Sequence, residues 1–317
     1  MGNGFRTSPG GGVAAPPYTN GPYVFSEHIT FQGGVGGAGV QVVKDSQIWY
    51  VDKNKTAPAL SGDGSSPAEA FLTITEAVAA AGDYDVIFIG HGVYSEAATV
   101  AITQVGLKIF GAGTSGYIWG PTSMKSNTAG DHMLSINSNE VEIAGLDFIT
   151  NTTSKNAIQM SNTATTYKVH IHDCHFGGGG TTNSGINCST VQDTVDMHVD
   201  RCEFYNYSTA GIVLSGTRTK VTNCLLFVPA AGIGIDVRDT GGNRPDKLIA
   251  GNMIIGSAST DTGIKLPATE PTAGSILIYN NCITNCNTNI TTGKSEAGIV
   301  ANQTSASAST YLQVDSS

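Results

Sequence analysis

The sequence predicts an all-β fold, a parallel solenoid of stacked coils, from three observations. The segments VEIAGLDF from Val141, VHIHDCHF from Val169 and MHVDRCEF from Met197 superimpose without gaps at a period of 28 residues, the self-similarity of a repeat architecture. Weaker copies follow in KVTNCLLF, LIAGNMII and ILIYNNCI, where Val221, Ile249 and Ile278 succeed Val199 at intervals of 22, 28 and 29. A companion strand recurs between them as SGINC (184–188), AGIVL (210–214), AGIGI (231–235), TGIKL (262–266) and AGIVA (297–301). Composition agrees: charged residues make up 13% and Gly 40 of 317 positions, against about 25% charged in ordinary globular domains.

Each repeat is short and alternates apolar with polar residues, so one face is dry and the other wet. A strand of four or five residues cannot bury its apolar side alone, whereas stacked copies bury a continuous column. Variable spacing suits coils whose loops differ while their rungs do not. Six recognisable units imply six or seven coils, a core about 30 Å long at ~4.8 Å per rung.

The elements follow in chain order. Residues 1–45, rich in Gly and Pro, carry Tyr23, Phe25, Ile29 and Phe31, too apolar for a solvated leader, and predict an extended anchoring arm. The coil is expected over 46–303. Within it Ser66, Pro67 and Glu69 read as an N-cap, a first-turn proline and a capping-box glutamate. Phe71, Ile74, Ala77, Val78 and Ala81 then recur at helical spacing, with Gly82 as a stop. This helix near 67–81 should cover the open N-terminal end of the solenoid, which would otherwise recruit foreign strands. YDVIFIGHGVY and VGLKIFGAG follow as the first coil strands, and 304–317 as a flexible C-terminal tail.

Stacking by the repeat places Cys174, Cys202 and Cys224 in one inward column, preceded by Leu146 and continued by Asn252, which predicts buried, reduced thiols. Asn223, Asn252, Asn280 and Asn281 sit near turns, where Asn tolerates left-handed backbone.

The segments YVDKNKT, GDGSSPAEAFLTITEAVAAA, VIFIGHGVYSE and LKIFGAG, with the G-I and I-x-x-N/C repeats after them, resemble the right-handed parallel β-helix of the pectate-lyase-like superfamily over residues 49–303. That resemblance implies a right-handed β-helix with a short capping α-helix and an extended N-terminal arm. It says little about activity, because the scaffold carries lyases, hydrolases, adhesins and viral structural proteins. The arm on an acidic rod resembles anchoring arms of tailed-phage virion proteins.

A formal charge of −9 argues against nucleic acid as a partner, and no run approaches the ~18 apolar residues of a membrane span. The first residues lack the basic start and apolar centre of a secretory signal, which predicts synthesis in a host cytoplasm without export by that route. No Ser/His/Asp order, phosphate loop or dinucleotide fingerprint occurs in a usable context. Asp63 lacks the remaining ligands of a calcium loop. On strand alternation, Asp236 and Arg238 turn outward with Lys265 on the next coil, the best acid and base for a polysaccharide-cleaving site. The 28-residue register stacks His170 on His198 and His172 on Asp200, an outward patch extended by Asp173 beside Arg201 and His175 beside Glu203. Its structural alternative is a His-rich surface, and its functional one a borderline metal ion. No other cofactor is expected.

The expectation from these features is a non-enzymatic virion structural protein: a homotrimeric capsid decoration (cement) protein on the virion surface, bound to phage capsid or other virion proteins through its arm. The alternative is a tailspike or secreted polysaccharide lyase or hydrolase, or a glycan-binding adhesin, with Tyr167, Tyr205 and Tyr207 as surfaces for sugars.

Overall fold

The computed structural model describes residues 46–55, 61–114, 122–126, 132–150, 155–161, 165–178, 184–188, 194–238, 246–257, 260–267, 276–291, 297–300 and 302–304. The arm residues Tyr23, Phe25, Ile29 and Phe31, and the tail beyond Thr304, lie outside them.

All pairing between strands is parallel. Ten strands from Ile48–Val51 to Ala297–Val300 form one sheet, nine from Gly92–Glu96 to Gln303–Thr304 a second, and eight from Val100–Ile102 to Thr288–Ile290 a third; Thr166–Tyr167 and Thr194–Val195 pair as a small fourth. The chain visits the three large sheets in turn on each coil, so sequence neighbours lie in different sheets and rung neighbours lie about one period apart. The ten-stranded sheet exceeds the six or seven coils expected, and nine steps of ~4.8 Å span about 43 Å. The strands not expected there are Ile48–Val51, ahead of the helix, and Ala297–Val300, whose AGIVA motif predicts a companion strand but which pairs with Ile276–Tyr279 in this sheet.

The repeat register is observed residue for residue. Ile143, Ile171, Val199, Val221, Ile249 and Ile278 face one another in successive strands of the ten-stranded sheet, all fully buried. Beside that column Leu146, Cys174, Cys202 and Cys224 are buried, and the column continues through Asn252 and Asn281. The asparagines replace dispersion contacts with a hydrogen-bonded ladder. Asn252 Nδ2 donates to Asn281 Oδ1 at 2.9 Å, Asn281 Nδ2 to Asn302 Oδ1 at 2.9 Å, and Asn252 Oδ1 accepts from Cys224 N–H at 2.9 Å. Amides can fill this buried column because each finds partners on neighbouring rungs. All six cysteines are free thiols; Cys282 and Cys286 are only half-buried.

The companion G-I strands explain their own motif. A Cβ on Gly185, Gly211, Gly234 or Gly263 would lie 2.5–3.0 Å from a carbonyl oxygen of the next rung, and 2.7–3.0 Å from a core side chain such as Phe204 or Ile283. Glycine is therefore required by close approach, with the following Ile filling the core. Phe148, Phe176 and Phe204 form the matching aromatic column, with ring centroids 4.9 and 4.6 Å apart.

The helix differs from expectation at its start. It runs Ile74–Ala80 with Thr73 as N-cap and Glu76 closing the capping box, so Ser66 and Glu69 do not begin it. The backbone there is already engaged: Gly64 N–H donates to Glu69 O, Gly62 N–H to Ala70 O, and Phe71 N–H to Tyr50 O. Two motifs fit the cap pattern, and backbone pairing with the first strand decides between them. Glu96, buried on the nine-stranded sheet, accepts from Ile74 N–H at 2.9 Å and from the Thr75 hydroxyl at 2.5 Å, which satisfies the exposed start of the helix. Ile74, Ala77 and Val78 face the core as expected of a cap. Gly82 N–H is captured by Asp85 Oδ2 at 2.7 Å, and that contact accompanies the end of the helix.

Candidate functional site

The outward face of the ten-stranded sheet holds two columns of side chains, set by the same register that builds the core. One reads Lys108, Glu142, His170, His198, Lys220; the other reads Tyr50, Phe88, Phe110, Ala144, His172, Asp200, Thr222. The early rungs are aromatic. Tyr50 stacks on Phe88 at 6.3 Å between centroids, Phe88 meets Phe110 in a tilted contact at 5.8 Å, and Phe88 remains 43% exposed. The middle rungs are polar and ionisable.

Glu142, His170 and His172 converge: one ligand atom from each lies within 4.8 Å of the others. His172 bridges two carboxylates, with Nε2 3.1 Å from Glu142 Oε1 and Nδ1 2.6 Å from Asp173 Oδ2. Lys108 Nζ lies 3.1 Å from Glu142 Oε2. Arg201 grips Asp173 with two hydrogen bonds of 2.8 Å, from Nε and Nη2, and also contacts Asp200. Asp173 and Arg201 occupy successive left-handed turns, φ 51° and 47°, which lets one side chain reach back along the rod to the other.

The electrostatics follow from these contacts. Partial burial alone would raise Glu142, but hydrogen bonds from His172 and Lys108 hold its carboxyl below the usual value. The Arg201 guanidinium is the main cause that holds Asp173 down to about 2. Burial lowers His170, with help from its neighbours His172 and His198. His170 stacks on His198 at 5.0 Å and 9°, and its Nε2 is buried without a hydrogen-bond partner.

The four residues expected in one patch do not share one set of contacts. His170 and His172 join Glu142, while His198 and Asp200 are occupied elsewhere. His198 Nε2 lies 2.8 Å from Thr222 Oγ1, and Asp200 Oδ1 accepts from Thr222 at 2.6 Å and from Asn223 at 3.0 Å. Glu142 was readable, because VEIAGLDF places it one period before His170. His175 does pair in register with Glu203, but on the nine-stranded sheet, buried and 3.6 Å from Asp147.

Two shallow hollows flank the cluster. One of about 320 Å³ is lined by Tyr84, Lys108, Glu140, Glu142, Lys168 and His170. The other, of about 290 Å³, is lined by residues that include Asp173, His175, Arg201 and Glu203. The cluster thus lies between two separate open hollows, the second reaching onto the nine-stranded sheet.

The second candidate set changes character. Asp236 is 1% exposed and accepts from Arg238 Nε at 2.6 Å, with Lys265 exposed on the next rung. Simple alternation placed Asp236 in solvent, but Gly234 and Asp236 are buried as well as Ile235 and Val237 on this strand. Tyr207 is likewise buried, while Tyr167 and Tyr205 are exposed. Asp63 accepts from Ser65 N–H at 2.9 Å, a local turn contact.

Together the coils and the sheet order define a right-handed parallel β-helix. No family model and no curated protein matches the sequence. Among solved structures the chain is similar to the pectin methylesterase of Aspergillus niger, with TM-score 0.57 and 13% identity over 84% of this chain and 88% of that one. It is also similar to the pectin methylesterase PemA of Erwinia chrysanthemi, with TM-score 0.51 and 14% identity over 86% and 92% of the two chains. A Geobacillus virus E2 protein, ORF18, aligns at TM-score 0.32 and 14% identity over 77% and 55% of the two chains, too little shared path to speak for a virion role.

These findings correct the expectation of a non-enzymatic capsid decoration protein with phage capsid partners. The two pectin methylesterases reported above are carbohydrate-active enzymes, and on the described surface Glu142 joins His170 and His172 in one cluster. No helix among the described residues is long and apolar enough to cross a membrane.

Proposed function

We propose that the chain is a carbohydrate-active enzyme, a hydrolase whose polysaccharide lies along the outward face of the ten-stranded sheet. The observation that carries this reading is the sharing of one open face by two complementary parts. The Tyr50, Phe88 and Phe110 run presents flat apolar rings to the faces of sugars. Two and three rungs on from Phe88, Glu142 and His172 set an acid and a base in hydrogen-bonding contact beside the flanking hollows. Hydrolysis needs such a pair to take a proton from the attacking water and return one to the leaving oxygen. The enzymes named above act, by their names, on a pectin methyl ester, and that supports an ester or glycosidic bond as the target.

Charge narrows the substrate. The chain carries −9, and Lys108 and Arg201 are already paired with Glu142, Asp173 and Asp200, so a free polyuronate must compete for cations held in ion pairs. A neutral or esterified polysaccharide does not.

The test is to incubate the full chain with methyl-esterified pectin, de-esterified pectin and neutral polysaccharides, measuring methanol, reducing ends and unsaturated uronate. Methanol or reducing ends from the neutral or esterified members, abolished in Glu142→Gln, is the expected result. Retention of a glycan without turnover would replace the reading with that of a glycan-binding protein, and unsaturated product with that of a lyase. Absence of both binding and turnover across the panel overturns it.

A further inference from the structure

We propose that Glu142, His170 and His172 form a binding site for a borderline divalent transition ion, with Zn²⁺ the best fit. The site stands on side-chain geometry; it shares Glu142 and His172 with the substrate reading above, and its test reads metal binding alone, apart from any turnover.

The fold brings the three residues together by two of its own spacings. Glu142 and His170 are direct partners on adjacent rungs, and His170 and His172 alternate on one strand, so all three project from the same face. Their ligand atoms already lie within 4.8 Å of one another. Tetrahedral zinc holds its ligands at about 2.0–2.2 Å, so the proposal requires these three partly buried side chains to close in on the ion by changes of side-chain torsion. Two imidazoles and one carboxylate favour zinc or a similar ion over calcium or magnesium, which take oxygen ligands. Three protein ligands leave a fourth position open to water.

The surroundings are those of a supported site. Asp173 Oδ2 lies 2.6 Å from His172 Nδ1 and so leaves Nε2 as the ligating nitrogen, and Arg201 fixes that carboxylate through two hydrogen bonds of 2.8 Å. A carboxylate on the far nitrogen orients ligating histidines in known metal sites. Lys108 engages Oε2 of Glu142, which turns Oε1 toward His172 Nε2 at 3.1 Å. His170 Nε2 is buried with no hydrogen-bond partner, a polar atom whose cost an ion would remove. His198, stacked on His170, is committed to Thr222 and serves as an internal control.

The experiment strips the full chain with a chelator and titrates Zn²⁺ by calorimetry and Co²⁺ by visible absorption. One equivalent per chain is expected, with a tetrahedral cobalt spectrum and a rise in Tm of about 5 °C at a hundredfold excess over Kd. His172→Ala and Glu142→Gln should each weaken binding at least tenfold, Asp173→Asn by about 10–100-fold, and His198→Ala should leave it unchanged. Circular dichroism establishes that each variant is folded, and a variant that fails to fold is replaced by His172→Gln or Glu142→Ala. Absence of saturable binding to the wild-type chain overturns the proposal. So does wild-type affinity in a folded chain lacking His172 and Glu142.

Discussion

The two faces of the ten-stranded sheet share one register and obey different rules. Inward, position after position is Ile or Val, each fully buried, from Ile87 through Ile109, Ile143 and Ile171 to Ile278. Outward, the same rungs pass from Tyr, Phe and Phe through Lys, Glu and His to Leu277 and Tyr279. The core repeats because every rung must fill the same cross-section. The outer face is free of that demand, and a local change of chemistry there marks the candidate site.

The largest expected effect comes from breaking the inward rule. Ile171→Asp or Val199→Asp places a charge with no partner in a dry column and should cost several kcal/mol, enough to prevent folding, whereas His198→Asp on the intervening outward position should leave a folded chain. Chemical denaturation of the three variants checks this. A soluble Ile171→Asp chain with wild-type melting would contradict the inward assignment.

Next in size is the companion strand. Gly263→Val must push aside Asn289 O, 2.6 Å from the site of its Cβ, and Ile283 Cγ2 at 2.7 Å, and overpacking of this kind costs roughly 1–3 kcal/mol. The midpoint of urea unfolding should fall accordingly, and a midpoint equal to that of the wild type would show that the rungs can separate.

A smaller effect depends on pH. Burial lowers His175, so its folded value lies below the unfolded one near 6.5. Above that value both states are neutral and the contribution is fully present. As pH falls through it, the unfolded chain gains a proton that the folded chain refuses, and stability declines toward the folded value. Glu203, its partner on the next rung, is raised by burial. Its contribution has the opposite sense: present below the ordinary carboxylate value and lost as pH rises through the raised one. His175→Phe should flatten the loss of stability between about pH 7 and pH 5, and an unchanged slope in stability curves would exclude His175 as its source.

The smallest effect is at the exposed ion pair of Arg218 with Asp196, held by hydrogen bonds of 2.6 and 2.8 Å. Both side chains are largely in water, where such pairs contribute little. Arg218→Gln should leave Tm unchanged within error, and a clear drop would assign that turn a structural role.

The register was legible because dry columns repeat: the spacing of Val141, Val169 and Met197 alone places Cys174 over Cys202 and His170 over His198. Coil number was underestimated because Ile48–Val51 precedes the helix, outside the repeat, and Ala297–Val300 carries the companion G-I motif while it pairs in the ten-stranded sheet. The helix start was misplaced because Ser66 and Glu69 satisfy a capping pattern while their backbone is paired to Gly64 and its neighbours. Asp236 was misplaced because alternation assumes one wet face, and its strand has buried residues of both parities. Of the candidate site, the histidines were readable and Glu142 was present in the same alignment. Its pairing with His172, diagonal across two rungs, depends on side-chain direction, which no spacing rule supplies.

The division of labour on the outward face is tested most directly by steady-state kinetics on whichever polysaccharide the wild-type chain turns over best, for wild type, Phe88→Ala and Glu142→Gln. The account predicts that Phe88→Ala raises KM with little change in kcat, because it removes a binding ring. Glu142→Gln should lower kcat by about a hundredfold or more with KM nearly kept. Full activity in both variants would contradict a site on this face.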